Sequence, residues 1–148
     1  MKVSGERLES IKEASMLHDL GKVGIKERIL HKKSKLSEKE FEEIKKHPQI
    51  SADIIRPIQA LRPVVPIVLH HHERWDGKGY PYGLMRERIP LGARIIALTD
   101  VYRALVTDRP YRKAYSTQRA VAIVKKASGT QFDPDIVRAF VTVIEREK

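Results

Sequence analysis

The chain has 148 residues, the size of one ordinary domain. Its 29 Lys and Arg residues outnumber 19 Asp and Glu residues, and the net charge of +10 favours a polyanionic partner: nucleic acid, an anionic membrane surface or a phosphorylated small molecule. The absence of cysteine excludes disulfide frameworks, thiolate nucleophiles and cysteine-based zinc sites. Because no apolar run reaches the roughly 18 residues that span a membrane, and the first residues lack the apolar region of a signal peptide, we expect one cytoplasmic domain over residues 1–148.

Apolar residues recur at three- and four-residue intervals, as in Leu8, Ile11 and Ala14, which is the periodicity of amphipathic helices. We therefore predict an all-α fold, a bundle of about six or seven helices. In chain order, the pattern places helices at about residues 6–20, 37–46, 47–56, 63–72 and 92–107, one beginning at Ser116 or Thr117, and a last one opened by Asp133 and Pro134.

Specific residues indicate two helix starts and one long loop. Ser37 and Glu40 have the spacing of a capping box, in which each side chain binds the backbone N–H of the other residue. Pro48 follows His47 and fits the first turn of a helix, where its missing N–H is not needed. Residues 73–90 include the segment GKGYPYG and cannot form a regular helix or a central strand. Loops of this length in compact domains are usually functional.

Imidazole and carboxylate side chains recur along these helices, twice as adjacent pairs. The candidate metal ligands are His18, Asp19, His47, His71, His72 and Asp100. Neighbouring residues of a helix point about 100° apart, so one ion would lie over the seam between His18 and Asp19, and the second carboxylate oxygen of Asp19 could bridge to another ion. Asp100 lies in the apolar stretch ALTDV, where a buried carboxylate calls for a cation. We interpret His31 and His70 as residues outside the site.

Such a ligand set is sufficient for two divalent ions side by side. Imidazole and carboxylate suit iron, manganese or zinc better than copper(I) or an iron–sulfur cluster. We expect two divalent ions, with iron, manganese and zinc as candidates and nickel or magnesium as alternatives. Because a paired-metal site generates hydroxide and stabilises the attacking and leaving oxygens of a phosphodiester, the pattern predicts metal-assisted hydrolysis.

The candidate ligands lie within longer motifs that resemble the HD-GYP family of the HD phosphohydrolase superfamily. The motifs are HDLGKVGI at 18–25, HHERWDGKGYP at 71–81, IP at 89–90 with ARI at 93–95, and TD at 99–100 followed by DRPYR at 108–112. They extend over nearly the whole chain. The resemblance implies a helical domain with a two- or three-metal site, commonly iron or manganese, that hydrolyses the bacterial second messenger cyclic di-GMP to pGpG or GMP. It also implies ligand roles for all six candidate residues.

The resemblance assigns further roles. Lys22 is expected to face the phosphate and to act with Asp19 in catalysis, although a lysine near a helix C-terminus also complements the helix dipole. Arg109 and Arg112 flank a rigid Pro–Tyr element and are expected to bind a second phosphate. The loop motif is expected to shape the mouth of the cleft or to bind a diguanylate cyclase domain, with an ordinary tight turn as the alternative. Its residues are Gly79, Tyr80 and Pro81.

Two departures from the family pattern concern the metal site. Family members carry a further His, and in trimetal versions a Glu, on a helix that would precede Met1. Arg103 stands where the family generally has Asp, one helical turn from Asp100. A cation there would repel metal but attract phosphate, so Arg103 either helps to bind substrate or impairs catalysis. We therefore expect one complete metal site, formed by His47, His71 and His72 with a bridging Asp19. The ion held by His18, Asp19 and Asp100 is expected to be the weaker or absent one.

These departures leave two functions open. The first is a cyclic di-GMP phosphodiesterase, the C-terminal output domain of a longer protein with an N-terminal sensor or receiver domain. The alternative is a catalytically impaired signalling module that binds nucleotide or a partner protein. Binding to DNA is not expected, because no groove-reading or base-stacking motif accompanies the positive charge.

Overall fold

The computed structural model describes residues 4–108 and 112–146, and all regular elements in these ranges are helical. The α-helices are α1 (Gly5–Leu17), α2 (Glu27–Leu30), α3 (Glu38–Ile44), α4 (His47–Ile55), α5 (Val65–Leu69), α6 (Leu91–Val106), α7 (Thr117–Lys126) and α8 (Pro134–Arg146). Short 3-10 helices lie at Leu20–Gly24, Gln59–Leu61 and Arg86–Arg88. The predicted all-α fold is confirmed. None of the helices in the described ranges is long and apolar enough to cross a membrane.

The helix starts follow the local signals in the sequence. The backbone N–H of Glu40 donates to the Ser37 hydroxyl at 3.3 Å, and the Ser37 N–H donates to the Glu40 carboxylate at 2.8 Å, which completes the capping box of α3. Pro48 lies in the first turn of α4. Ser116 accepts a backbone N–H at the start of α7. These starts match the prediction because each depends on residues within one turn of the helix end.

Helices α1, α3 and α5 are shorter than predicted, and α2 was not predicted. α1 ends at Leu17 instead of Leu20, since the Ser51 hydroxyl donates to the carbonyl oxygen of His18 at 2.9 Å and accepts the Gly21 N–H at 2.7 Å. These bonds to α4 turn the chain into the 3-10 helix Leu20–Gly24. α5 covers Val65–Leu69 and ends where His70 leaves helical geometry. With four residues, α2 is too short to show a hydrophobic period.

Two buried hydrophobic clusters hold the helices together, and α6 contributes to both. The first cluster joins α1, α4, α5 and α6 and consists of Ala14, Ile55, Val64, Ile67, Val68, Ile89, Ala93 and Ile96. The second cluster joins α6 to α7, α8 and the connection between them, and consists of Leu98, Val124, Phe132, Ile136 and Val137. α6 therefore fixes the first half of the chain against the last two helices.

The long loop contains the 3-10 helix Arg86–Arg88 and is otherwise irregular, as predicted, and its first residues are hydrogen-bonded to another part of the fold. The backbone N–H groups of Trp75 and Asp76 donate to the carbonyl oxygens of Gln131 and Thr130 at 3.2 and 2.8 Å, which fixes the loop to the connection between α7 and α8. The Arg94 guanidinium of α6 lies 5.8 Å from the centre of the Trp75 ring. These contacts place the loop beside the turn that carries His71 and His72.

Candidate metal centre

Three histidines are oriented by the same local hydrogen bond. His18 caps the C-terminus of α1, His47 begins α4 and His71 lies in the turn after α5. Each ring donates its Nδ1–H to the carbonyl oxygen three residues earlier, at 2.9 Å for His18, 2.7 Å for His47 and 2.6 Å for His71. A carbonyl oxygen only accepts, so Nδ1 carries the proton and Nε2 presents a lone pair. This bond fixes the tautomer and direction of metal-binding histidines.

The free ring nitrogens converge from these three segments. One group of possible ligands contains His47, His71 and His72, and a second contains His18, Asp19 and His71, with the ligand atoms of each group within 4.8 Å of one another. His71 belongs to both groups. The first group is the triad predicted from the sequence to hold the stronger ion. Whether it holds an ion stays a prediction.

Asp19 belongs to the second group and presents one oxygen to a histidine of each group. Its Oδ1 lies 3.4 Å from Nε2 of His47, and its Oδ2 lies 3.7 Å from Nε2 of His18. The Lys22 ammonium donates to the same Oδ2 at 2.6 Å. This position is the one that a bridging carboxylate requires, and the bridging role itself stays a prediction.

Burial and neighbouring charges keep these groups in the form that binds metal. Burial lowers the pKa of His47, that of His71 to about 2 and that of His72 to about 3, so all three rings are neutral near pH 7. For Asp19, burial raises the pKa, but the hydrogen bond from Lys22 and the nearby positive charges outweigh it, and the pKa falls below its usual value. Neutral imidazole and ionised carboxylate are the states that metal ions require.

The donor atoms are arranged in a way that a divalent cation would stabilise. The Nε2 atoms of His47 and His71 are 3.3 Å apart, and both carry lone pairs because both Nδ1 atoms carry the proton. The Nε2 of His18 is buried and has no hydrogen-bond partner within the described ranges. Buried polar atoms without partners are rare and costly. The residues therefore fit a divalent ion, and imidazole with carboxylate suits iron, manganese or zinc.

Asp100 and Arg103 of α6 are not part of the two ligand groups found among the described residues. Asp100 is half-buried, not fully buried as predicted, and lines a cavity of about 50 Å³ with His71 and His72. Within the described ranges it belongs to neither ligand group, so His18 and Asp19 converge with His71 where Asp100 was expected. Arg103 lies one turn further along α6 and is exposed. A ligand role for Asp100 and a substrate role for Arg103 stay predictions.

The candidate phosphate-binding residues are in different environments. Lys22 is bound to Asp19 at the edge of the metal centre. The Arg112 guanidinium donates to the carbonyl oxygens of Ala104 and Leu105 at 2.6 and 3.2 Å, and therefore caps the C-terminus of α6. Arg109 lies outside the described residues. The predicted phosphate contacts of Lys22, Arg109 and Arg112 stay predictions.

Sequence reasoning did not identify Glu73, which organises the loop beside the histidines. Its side chain is buried and accepts the backbone N–H groups of Tyr82 and Leu84 at 2.8 and 3.0 Å. These bonds turn the loop back, so that the Tyr80 ring stacks on the His72 ring with the centres 4.8 Å apart. Two features of the sequence could have indicated this role: an acidic residue directly after His71 and His72, and a Gly-rich loop whose backbone N–H groups need acceptors.

Gly21 and Ser51 were also not identified. An added Cβ at Gly21 would lie 2.5 Å from the backbone nitrogen of Ser51 and would also clash with the carbonyl oxygen of His47. Only glycine allows the turn after Asp19 to approach α4 this closely. The glycine two residues after the His–Asp pair was the available signal, because glycine permits close backbone approach.

The family model for the HD domain matches residues 1–136. The chain belongs to the HD domain family. Within that family, the resemblance to HD-GYP proteins is confirmed by curated relatives. The chain is 42% identical over 146 residues to a cyclic di-GMP phosphodiesterase of Vibrio cholerae, with 94% of this chain and 30% of the relative covered. It is 44% identical over 134 residues to the cyclic di-GMP phosphodiesterase PA4108 of Pseudomonas aeruginosa, with 88% and 32% covered.

A solved structure shows the same fold. The crystal structure of a cyclic GMP-AMP specific phosphodiesterase of Vibrio cholerae superposes with a TM-score of 0.73 at 20% identity, and covers 97% of this HD-domain chain and 40% of the other. This HD domain therefore spans about a third of the length of the curated relatives above, of which it covers 30% and 32%.

Proposed function

We propose that this HD domain is a metal-dependent phosphodiesterase that hydrolyses cyclic di-GMP to pGpG or GMP. The observation that carries the proposal is the convergence of five possible ligand side chains with Lys22 at their edge: His18, Asp19, His47, His71 and His72. The relatives named above support cyclic di-GMP as the substrate.

In this proposal, His47, His71 and His72 would hold one divalent ion, and His18, Asp19 and His71 a second. When bound, such ions act as Lewis acids that lower the pKa of water and neutralise charge on phosphate oxygens. Iron and manganese are the first candidates.

The residues of the chain itself have distinct tasks. Asp19 stays ionised and holds the Lys22 ammonium at 2.6 Å, so the positive charge of Lys22 is fixed beside the centre. A fixed cation stabilises negative charge that develops on phosphate oxygens without a reorganisation cost. The carbonyl oxygens bound to the Nδ1 atoms hold the imidazoles in one orientation, which keeps the site preorganised.

The alternative function is a module that binds a cyclic dinucleotide without hydrolysing it. Its support is the position of Asp100, which lies outside both ligand groups of the described residues, one turn from the positively charged Arg103. In that case the domain would bind nucleotide at full metal occupancy and release no product.

The two functions are distinguished by one experiment. The protein is purified anaerobically with iron(II) or manganese, its metal content is measured, and cyclic di-GMP is incubated with it while pGpG and GMP are quantified by chromatography. We expect turnover in the wild type and none above background in Asp19→Asn. Asp135→Asn, which removes an exposed carboxylate on α8, is the matched control and should retain wild-type turnover. No turnover with a filled site would contradict the enzyme and favour the alternative.

We further propose that the chain is one domain, acts in the cytoplasm and belongs to a longer protein with a sensor or receiver domain. A diguanylate cyclase domain is a proposed partner of the loop that contains Tyr80. Neither DNA nor a membrane is a proposed partner of this segment.

A further inference from the structure

A groove runs beside the metal centre between α3, α4 and the long loop. Its volume is about 660 Å³, and its walls include Lys45, Lys46, Gln49, Tyr80 and Tyr82. Small-molecule sites in proteins typically have volumes of ≈ 300–1,000 Å³. The groove is therefore large enough for part of a nucleotide.

The groove and the metal centre share one wall, the Tyr80 ring. One face of this ring stacks on His72, with the ring planes inclined by 24°. The ring also meets Phe41 of α3 edge to face, with the centres 6.5 Å apart. A ligand whose phosphate is at the metal centre can therefore place a neighbouring group in the groove, on the other side of the Tyr80 ring.

The groove offers a stacking surface and hydrogen-bonding groups. Tyr82 is 63% exposed although it is anchored through its backbone N–H and through its hydroxyl, which donates to the Gln49 side-chain oxygen at 3.2 Å. An exposed but fixed aromatic ring is a platform on which a base can stack. Such a position also leaves a large apolar surface in water when no ligand covers it.

The Lys45 ammonium is a cation that can donate hydrogen bonds to a purine base. Its ammonium lies 5.1 Å from the centre of the Phe41 ring and 5.8 Å from that of Tyr80. It is paired with Glu42 at 2.7 Å, but such partly exposed pairs contribute little, so a ligand can compete for Lys45. Lysine commonly donates to O6 and N7 of guanine.

We propose that this groove, formed by Tyr82, Lys45 and Gln49, binds one purine base of the cyclic dinucleotide while a phosphate of the same molecule occupies the metal centre. The base stacks on Tyr82, Lys45 donates to its O6 and N7, and the Gln49 amide contacts its edge. This inference rests on the proposed phosphodiesterase function and names its base-binding subsite.

The test compares a substrate with bases and one without. We measure kcat/KM for cyclic di-GMP and for bis(4-nitrophenyl) phosphate with the manganese-loaded protein, and express specificity as the ratio of the two. Because a stacked base contributes ≈ 1–3 kcal/mol, Tyr82→Ala should lower this ratio by about fivefold or more. Tyr82→Phe, which retains the ring, should recover most of the ratio. An unchanged ratio in Tyr82→Ala would overturn the proposal.

A second pair of variants tests the cation. Lys45→Met should lower the same ratio by about five- to tenfold through the lost contact to the base. Lys39→Met removes an equal charge from an exposed position of α3 outside the groove and should leave the ratio within about twofold, the size of a surface effect. Equal losses in the two variants would mean general electrostatic attraction and would overturn the role of Lys45.

Binding of GMP separates this inference from the proposed function. If the wild type hydrolyses neither substrate, the phosphodiesterase proposal fails. The affinity for GMP, measured by calorimetric titration, then tests base binding in the groove independently of catalysis. Weaker GMP binding in Tyr82→Ala, with recovery in Tyr82→Phe, would support a base-binding groove. Equal GMP affinity in the wild type and Tyr82→Ala would overturn it. Circular dichroism spectra confirm that each variant retains its helices.

Discussion

The metal centre and the second hydrophobic cluster are both buried, but different interactions hold their side chains in place. At the metal centre, rings at helix ends are held by hydrogen bonds to nearby carbonyl oxygens, and their remaining nitrogens converge. In the second cluster, residues such as Leu98 and Ile136 are covered by apolar neighbours. At the metal centre, ring nitrogens remain that can bind an ion. The apolar side chains of the second cluster have no such atoms. Activity and stability should therefore depend on different residues.

The largest expected effect is the loss of activity in His71→Ala. His71 belongs to both ligand groups, so its removal should weaken both proposed ions. Metal ions contribute several kcal/mol to catalysis, and we expect kcat for cyclic di-GMP to fall by at least about a thousandfold. Metal content by mass spectrometry and kcat are measured together. His31→Ala, an exposed histidine outside the site, is the control. Full metal content in His71→Ala would contradict the two-group arrangement.

The second expected effect is a loss of stability without a loss of metal binding. Ile136 of α8 is 4% exposed in the second cluster, so Ile136→Ala should lower the free energy of unfolding by about 2–5 kcal/mol. Metal affinity of the folded protein should stay within about twofold of the wild type. Val143 lies on the same helix but is 53% exposed, and Val143→Ala should change stability by less than about 0.5 kcal/mol. Urea denaturation and metal titration are the measurements. A parallel loss of metal affinity in Ile136→Ala would show that the two regions are coupled.

The third effect is a pH dependence to which the metal centre should contribute and the second cluster, which has no titratable side chain, should not. The folded state keeps the pKa of His71 at about 2, below its usual 6.5, so the unfolded state takes up a proton first as the pH falls. The metal-free protein should therefore lose about 1.4 kcal/mol of stability per pH unit below pH ~6.5 through His71, and none through it at higher pH. Urea denaturation at pH 7.5 and 5 in EDTA measures this. His71→Leu should remove that contribution, whereas Ile136→Ala should keep it; an identical pH dependence in His71→Leu would contradict the prediction.

The smallest effect concerns the loop beside the metal centre. A glutamine at position 73 keeps one acceptor oxygen, but its NH₂ group would face the second backbone N–H. Glu73→Gln should therefore weaken the hydrogen bonds that hold the backbone of Tyr82 and Leu84. Because hydrogen bonds to charged groups are stronger than neutral ones by about 1 kcal/mol, we expect amide exchange at both residues to rise about fivefold or more. Exchange is followed by NMR. Glu87→Gln, in an exposed part of the same loop, should leave it unchanged.

Most of the fold was predictable because most helix starts depend on neighbouring residues. The capping box at Ser37 and the cap at Ser116 are local and were identified. The early end of α1 was not, because it depends on hydrogen bonds from Ser51, 33 residues away from His18. Glu73 was missed for a similar reason: its partners are loop N–H groups nine and eleven residues later, and nothing in the sequence pairs them.

Residue type and local spacing were enough to predict which side chains could bind metal and where the irregular loop lies. Which atoms meet depends on how the helices pack: Nε2 of His47 lies 3.3 Å from that of His71, Asp19 presents one oxygen to a histidine of each ligand group, and Asp100 is in neither group of the described residues. Such distances depend on how α4 packs against the turn after Asp19. That packing requires Gly21 at a position where any other residue would clash.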